Sequence, residues 1–380
     1  MPKQKKNSLQ GCLLSLFFIC GIALIAGIIW LSTTILNDVK IAYGPPDASL
    51  NLYKRFVYTT KLYFSEESLF KNQNNLQEDF YFEILPGESV GQIAYRLKMN
   101  ELITDSQTFN DFLIYKGFDR KVQSGYFRIE PEMNGIEIAE KITNPIPDKV
   151  RFNILPGWRS EEIAGILPGS GLEIDPEVFL SLVSNPSSEW LPDGLQGVPS
   201  LEGYLFPGEY LVDREITEID FVKIFLNEFL KNVNDEFKNS LSTKGLSMNQ
   251  MVILASMVER EAVVIEEMPM IASVFLNRFD IGMKIDSDPT VQYAVGYNID
   301  QATWWTNPLS LNNLQIDSPF NTYLYNGLPP HAICNPSFVA MQSIASASET
   351  PYYYFRAKCD GSGLHNFAST YEEHLGNGCP

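Results

Sequence analysis

The chain has 380 residues, 45% of them hydrophobic, so it is long and apolar enough for two or three domains with packed cores. Its 46 acidic and 28 basic side chains give a formal net charge of −18 at pH 7. This excess of negative charge argues against a nucleic-acid partner, because the phosphate backbone would be repelled, and against a general affinity for anionic lipid surfaces.

The first predicted element is a transmembrane helix over residues 11–36. It lies in a stretch without charged residues, from Asn7 to Asn37, and about 20 apolar residues are enough to cross the hydrocarbon layer. Three lysines precede it and Asp38 follows it, so the positive-inside rule predicts a cytoplasmic tail at residues 1–10 and an extracytoplasmic remainder. A cleaved signal peptide is the alternative, but its apolar region would be shorter. The length favours a single-pass anchor.

Residues 37–80 are interpreted as a membrane-proximal connector with up to two strands. A strand, a Pro-Gly turn and an amphipathic helix then follow in YFEILPGESVGQIAYRL, and the pattern returns seventy residues later in FNILPGWRSEEIAGIL. Two such units suggest a duplicated small α+β module, over residues 81–148 and 149–200.

The first of these units resembles a LysM domain, a fold that binds GlcNAc-containing polysaccharide. An ordinary strand–helix unit is the alternative. The residues that carry the resemblance are Gly87, Ser89, Ile93, Ala94 and Leu97.

Residues 201–380 are predicted to form a mixed α+β domain that opens with LEGYLFPGEYLV. In this segment Glu202 offers a carboxylate and Tyr204 an aromatic face, the kind of surface on which sugars stack. A buried aromatic turn is the alternative interpretation. An amphipathic helix is predicted over residues 215–244.

The next predicted helix begins at Ser247, which forms a capping box with Gln250. Two acids, Glu259 and Glu261, interrupt its apolar run. At about 100° per residue they point to nearly opposite sides, so one cleft can hold only one of them.

The two acids differ in their predicted surroundings. Burial raises the pKa of a carboxyl group and makes it able to donate a proton near neutral pH, whereas a structural acid would instead pair with a buried arginine or cap a backbone segment. Helix geometry alone favours the structural interpretation for Glu261. Its predicted neighbours on the same face are all apolar, namely Leu254, Met257, Val258, Val264, Ile265 and Met268.

After this helix, Pro269 suits the first turn of another helix that ends near Gly282. Polar, rigid loops are predicted over Asp286–Gly296, where Asp288 before Pro289 is typical of a turn, and over 318–337. A helix in VAMQSIASAS and a strand in PYYYFRAK follow.

No fingerprint of a serine hydrolase, a zinc protease or a nucleotide-dependent enzyme occurs in a fitting context, and no cofactor is predicted. The spacing of Cys359, His365, His374 and Cys379 matches no standard zinc pattern, so no metal site is predicted either. A disulfide among Cys359, Cys379 and Cys334 remains open.

Taken together, the motifs of the chain resemble the endolytic murein transglycosylase family, also called YceG-like or MltG. They run in family order from about residue 80 to the end, with small departures at Ala262, at Gly208-Glu209 and at His331. The motifs are LEGYLFP, LASMVEREA, IASVFLNRF, GM, DPTVQYAVG, SPFNTY, GLPP, NPS and HNFASTYEEH.

The resemblance implies a LysM-like module followed by a catalytic domain of the lytic transglycosylase type. It implies cleavage of MurNAc–GlcNAc β-1,4 bonds without water, leaving 1,6-anhydroMurNAc ends, and the termination of nascent strands at the bacterial inner membrane, near peptidoglycan synthases. Lytic transglycosylases carry their single essential Glu in a helix motif that ends in Glu-Ser, which aligns with Glu261-Ala262. The catalytic role is therefore expected at Glu261.

Other residues are expected to bind substrate or to support this acid. Glu259 is expected to be a supporting residue, and the LEGYLFP motif contributes Glu202 and Tyr204. The remaining candidates, by resemblance and residue type, are Asp288, Thr290, Tyr293, Asn321 and Tyr323.

Two further hypotheses stay open. A non-catalytic peptidoglycan-binding scaffold would not need the acid on the helix. A hydrolytic muramidase would need a second carboxylate aimed at a water molecule, and Glu202 and Asp288 are the candidates.

Overall fold

The computed structural model describes residues 6–65, 67–71, 76–144 and 146–379, and within the first helix it describes the side chains at 21, 22, 24, 26, 27 and from 30 onward. The chain divides into two compact units, Met1–Lys149 and Val150–Pro380. Each unit contains its own cluster of buried hydrophobic side chains. The second unit contains residues 150–200, which were predicted as part of a separate module over 149–200, together with residues 201–380.

The first unit begins with helices: α1 (Lys6–Tyr43), α2 (Leu52–Phe64) and α3 (Glu67–Phe70). Up to two strands were expected in residues 37–80, but the described residues from 37 to 79 contain no strand, and the first strand begins at Phe80. Asn51 caps the start of α2, and Thr59 and Leu62 are buried on one face of this helix. The cap and the helical spacing of the buried residues favour a helix over a strand in this segment.

Among the described residues, no helix combines the length and the apolar character that a membrane crossing requires. The predicted span, residues 11–36, lies within α1, and many of its side chains fall outside the described residues.

The rest of the first unit packs helices against an antiparallel strand pair, in which Phe82 lies opposite Phe127. The predicted strand, turn and helix are confirmed: Gly87 turns the chain with φ +78°, and Ser89 and Gln92 form a capping box. The elements are β1 (Phe80–Ile84), α4 (Val90–Met99), α5 (Ser106–Lys116), β2 (Gly125–Ile129) and α6 (Gly135–Ile142).

The strand–turn–helix pattern is also confirmed at the second position. Gly157 has φ +79°, as Gly87 has in the first copy, and Ile163 and Ala164 are buried. Strand β3 is followed by two helices and then by its neighbour in the sheet, β4. The bounds are β3 (Lys149–Ile154), α7 (Ser160–Ser170), α8 (Pro176–Ser184) and β4 (Gly208–Asp213).

A group of helices forms the centre of the second unit. The single helix predicted over 215–244 is instead two, because Asn234 caps a new helix start, whereas the predicted capping box of Ser247 and Gln250 is confirmed. The helices are α9 (Glu218–Asn232), α10 (Asp235–Thr243), α11 (Met248–Glu261), α12 (Met268–Asp280), α13 (Asp288–Val295) and α14 (Phe338–Ala345).

Helix α11 is surrounded by α12, α13 and α14, and every residue from Met251 to Val258 is buried. Burial therefore does not distinguish the faces of α11 on which the two acids lie, since Ser256 is as deeply buried as Leu254. Packing on all sides makes this helix the core of the unit.

The chain ends in an antiparallel hairpin, β5 (Tyr354–Ala357) and β6 (His365–Ala368), followed by α15 (Tyr371–Gly376). A disulfide joins Cys359, just after β5, to Cys379, and Cys334 is a buried free thiol. The pairing that the sequence left open is thus Cys359 with Cys379.

Candidate active site

Glu261 is the last residue of α11, and the chain leaves the helix at Ala262 with φ −76° and ψ 121°. The apolar face predicted to continue through Val264, Ile265 and Met268 therefore does not belong to α11, since Ile265 lies in a separate 3-10 turn and Met268 begins α12. The acid lies at the C-terminal end of a buried helix, where the helix dipole also disfavours a negative charge.

The surroundings of Glu261 raise its pKa to about 7, chiefly because burial removes water from the carboxyl group. Asp288 raises the pKa further by repulsion. The hydroxyl of Ser287 acts in the opposite direction, because it donates a hydrogen bond of 2.7 Å to Glu261 Oε1, and Arg278 and Arg260 add attraction. A carboxyl group balanced near neutral pH can both donate and accept a proton.

A cleft of about 480 Å³ opens at Glu261. Residues from α11, α12 and α13 line one part of it, and the terminal hairpin with α15 lines another. The lining residues are Glu261, Arg278, Asp286, Asp288, Tyr323, Tyr354, Phe355, Arg356, Ala357, His365, Tyr371 and His374.

Two of the predicted site residues, Asp288 and Tyr323, lie in this cleft with Glu261. The Tyr323 hydroxyl donates a hydrogen bond of 2.8 Å to Asp288 Oδ1, and burial followed by the charge of Asp288 raises the pKa of Tyr323. Asp288 is the first residue of α13, so the prediction of a polar loop over Asp286–Gly296 is wrong. Pro289 fits the first turn of that helix because its φ is preset and its missing N–H is not needed there.

Thr290 is fully buried and supports Ser287. Its hydroxyl donates to the Ser287 carbonyl oxygen at 2.6 Å and lies 2.8 Å from the hydroxyl of Thr322, which accepts the Ser287 N–H at 3.0 Å. This network fixes the residue that bonds Glu261.

Glu202 and Tyr293 lie in a different network, outside the set of residues that line the cleft. Glu202 accepts the Ser160 N–H at 3.0 Å and the Asn335 side-chain amide at 3.2 Å, and burial followed by repulsion from Glu161 raises its pKa to about 8. The Arg159 Cζ atom lies 4.0 Å from the centroid of the Tyr293 ring. Burial raises the pKa of the Tyr293 hydroxyl.

The other predicted residues brace the fold. Glu259 Oε2 accepts the N–H and the hydroxyl of Ser337, at 3.0 and 2.6 Å, at the start of α14. The Asn321 amide donates to two carbonyl oxygens of its own loop and is wholly buried.

Tyr204 was expected to offer an aromatic face to sugars, and this expectation is wrong for its position. Its side chain is 1% exposed, its ring packs on Phe229, and its hydroxyl donates to Asn249 Oδ1 at 3.0 Å. The alternative, a buried aromatic turn, describes the segment.

Two residues near Glu261, Ser287 and Arg278, were not predicted from the sequence. Arg278 Nε donates to the Tyr353 carbonyl oxygen at 2.6 Å and a terminal nitrogen donates to the Ile285 carbonyl oxygen at 2.7 Å, so this buried arginine ties α12 to the terminal hairpin. An arginine within the apolar helix pattern IASVFLNRF was the available signal. Ser287 carried none beyond its place before Asp288-Pro289.

The residues first considered for zinc are otherwise engaged. Cys359 and Cys379 form the disulfide, and His365 Nδ1 lies 2.9 Å from a carboxylate oxygen of Glu267. Within the described ranges, no cluster of three His, Cys, Asp or Glu residues could hold a metal ion.

Comparisons with known proteins agree with the motif order. The chain is 28% identical over 301 residues to the endolytic murein transglycosylase of Bacillus subtilis, which covers 76% of this chain and 81% of that protein. It is 26% identical over 311 residues to the protein of the same name from Streptococcus pneumoniae, again over 76% of this chain but only 56% of that longer protein.

A solved structure supports the fold. A YceG-like protein of Listeria monocytogenes superposes with a TM-score of 0.54 at 24% identity, over 79% of this chain and 99% of the other. The sequence model of the YceG-like family matches residues 82–378, well over half of the length. The chain therefore belongs to the YceG-like family.

Proposed function

We propose that this protein is an endolytic lytic transglycosylase that cleaves the MurNAc–GlcNAc β-1,4 bond within peptidoglycan strands and leaves a 1,6-anhydroMurNAc end. The observation that carries the proposal is Glu261, whose carboxyl group has a pKa raised to about 7 and lines an open cleft. The endolytic murein transglycosylases of B. subtilis and S. pneumoniae, to which the chain is similar, support it.

In the proposed mechanism Glu261 acts first as an acid and then as a base. Its protonated carboxyl group donates a proton to the glycosidic oxygen, the bond from C1 of MurNAc to that oxygen breaks, and GlcNAc leaves with a free hydroxyl. The Glu261 carboxylate then accepts the proton of the C6 hydroxyl, whose oxygen bonds to C1 and closes the anhydro ring. The acid regains its proton, so one carboxyl group completes the cycle.

The groups around Glu261 suit both steps. The Ser287 hydroxyl stabilises the carboxylate that remains after the first proton transfer. Asp288, held by Tyr323, adds a negative charge to the cleft, where it can stabilise the positive charge that develops on the sugar ring.

A hydrolytic muramidase is the second candidate, because Asp286 and Asp288 line the same cleft as Glu261. Either carboxylate could serve as the base for an attacking water, as in inverting glycosidases. The product then has a reducing end instead of an anhydro end.

The biological setting is also a proposal. A single-pass anchor at residues 11–36, with a cytoplasmic tail at 1–10, would hold the enzyme on the outer side of the inner membrane, where nascent strands and peptidoglycan synthases meet. The LysM-like unit, residues 81–148, would add affinity for GlcNAc-containing strands, and cleavage would terminate elongation.

Product analysis tests the proposed reaction. Purified glycan strands are digested with the full-length protein, and the new ends are identified by mass spectrometry. Anhydro ends support the lytic reaction, reducing ends identify a muramidase, and intact strands indicate a binding scaffold.

A further inference from the structure

Four basic-type side chains line the cleft of Glu261, although the protein as a whole carries a net charge of −18. They are Arg278, Arg356, His365 and His374. Three carboxyl groups line the same cleft, those of Glu261, Asp286 and Asp288, so a basic side chain is available to an anionic ligand only where the protein itself does not engage it.

Two of the four are occupied by the fold. Arg278 is buried, donates to the carbonyl oxygens of Tyr353 and Ile285, and lies 3.7 Å from an Asp286 carboxylate oxygen. His365 is held by Glu267, which contacts its ring at 2.9 Å and also accepts its backbone N–H. Neither group is free to bind substrate.

Arg356 differs from both. Its backbone is fixed in β5 opposite Asn366, but its exposed guanidinium has no hydrogen bond or ion pair with another described residue. A rigid strand thus presents an uncommitted guanidinium to the cleft that contains the acid.

His374 is the remaining basic side chain of the cleft. Its ring packs beside Tyr354 and Tyr371, with centroids 5.4 and 6.1 Å away. Burial and the nearby Arg356 and Arg278 lower the pKa of His374, which disfavours its charged form.

We propose that Arg356 is a specificity-determining residue that binds a carboxylate of the peptide carried by MurNAc. This inference rests on the proposed function. A peptidoglycan strand bears these peptides on the lactyl groups of its MurNAc residues, and their free carboxylates are the anionic groups that enter the cleft with the sugar. The planar guanidinium matches a carboxylate with two parallel hydrogen bonds, which a lysine cannot reproduce.

The experiment compares two substrates: glycan strands whose peptides keep free carboxylates, and the same strands after an amidase has removed the peptides. The full-length wild type, Arg356→Ala, Arg356→Lys and Lys358→Ala are assayed for anhydro ends. Lys358 is the matched control, because it carries the same charge two residues away but does not line the cleft.

We expect Arg356→Ala to lower kcat/KM about tenfold on peptide-bearing strands and less than twofold on stripped strands, with an intermediate loss for Arg356→Lys. Lys358→Ala should leave both values unchanged. An equal loss on both substrates, or no loss on either, overturns the inference while wild-type anhydro ends still support the lytic reaction. If the wild type forms no anhydro ends, the proposed function fails and the inference fails with it.

Discussion

At the residue scale, the chemistry of Glu261 depends on two neighbours with opposite effects. The Ser287 hydroxyl bonds the carboxylate form and lowers the pKa, whereas the charge of Asp288 raises it. Both residues stand at the start of α13, so one short segment adjusts a proton affinity that burial chiefly sets.

This arrangement predicts opposite shifts in the pH profile of two variants. The first step of the proposed mechanism needs protonated Glu261, so kcat/KM should fall as the pH rises through about 7. Ser287→Ala removes the bond to the carboxylate, raises the pKa and should move this fall to higher pH. Asp288→Asn removes a negative charge, lowers the pKa and should move it to lower pH.

The measurement is kcat/KM between pH 5 and 9 for the wild type and both variants. Asparagine can still accept the Tyr323 hydroxyl, so Asp288→Asn changes the charge with little change of shape. Shifts in the same direction would contradict the assignment of Glu261 as the titrating group.

At the element scale, local signals predicted the starts of helices better than their ends. The capping box at Ser247 and Gln250 is a local hydrogen-bond pattern and was readable, as was the turn at Gly157. Helix α13 was missed because Asp288-Pro289 was interpreted as a turn, although the same Pro argument had correctly placed the start of α12 at Pro269.

The site was predictable only in part. Sequence motifs predicted Glu261 as the acid and Asp288 and Tyr323 as its neighbours. The hydrophobic periodicity of α11, however, could not predict that three other helices pack around it. The wall formed by β5, β6 and α15 comes from residues about a hundred positions later, and long-range packing of this kind leaves no local pattern. Glu202 and Tyr293 were grouped with Glu261 by motif alone, and the fold separates them from its cleft.

The disulfide between Cys359 and Cys379 holds the end of the chain beside the hairpin that carries Arg356. Replacing both cysteines by serine removes a cross-link between residues 20 positions apart. Because this cross-link restricts the unfolded chain, its loss should lower the free energy of unfolding by about 3 kcal/mol. We expect a Tm lower by several degrees and a severalfold lower kcat/KM well below that Tm, because the cleft wall loses its support.

The control is Cys334→Ser, a buried free thiol outside the cleft, which should leave kcat/KM nearly unchanged even if stability falls. Thermal unfolding measures the Tm of each variant, and steady-state kinetics at one temperature well below the Tm measure kcat/KM. A double serine variant with the kinetics of the wild type would show that the tail does not shape the cleft.

At the scale of the whole molecule, the net charge of −18 should oppose the approach of peptide-bearing strands, which are themselves anionic. Salt screens this long-range repulsion, because the Debye length is about 10 Å at 0.1 M. The same salt weakens a direct contact between Arg356 and a substrate carboxylate less. We expect kcat/KM on peptide-bearing strands to rise between 10 and 150 mM salt. Strands stripped of peptides should show no such rise, and equal responses of the two substrates would exclude charge repulsion as the cause.

In the proposed lytic reaction Glu261 alone supplies the acid and the base, and a comparison of Glu261→Gln with Glu259→Gln is the decisive test of this assignment. Both substitutions are isosteric, lie two residues apart on α11 and remove one carboxylate. In the product assay on glycan strands, we expect Glu261→Gln to lower the rate of anhydro-end formation about 10³-fold, whereas Glu259→Gln should keep most of that rate. Anhydro ends formed at the wild-type rate by Glu261→Gln would rule out Glu261 as the catalytic acid.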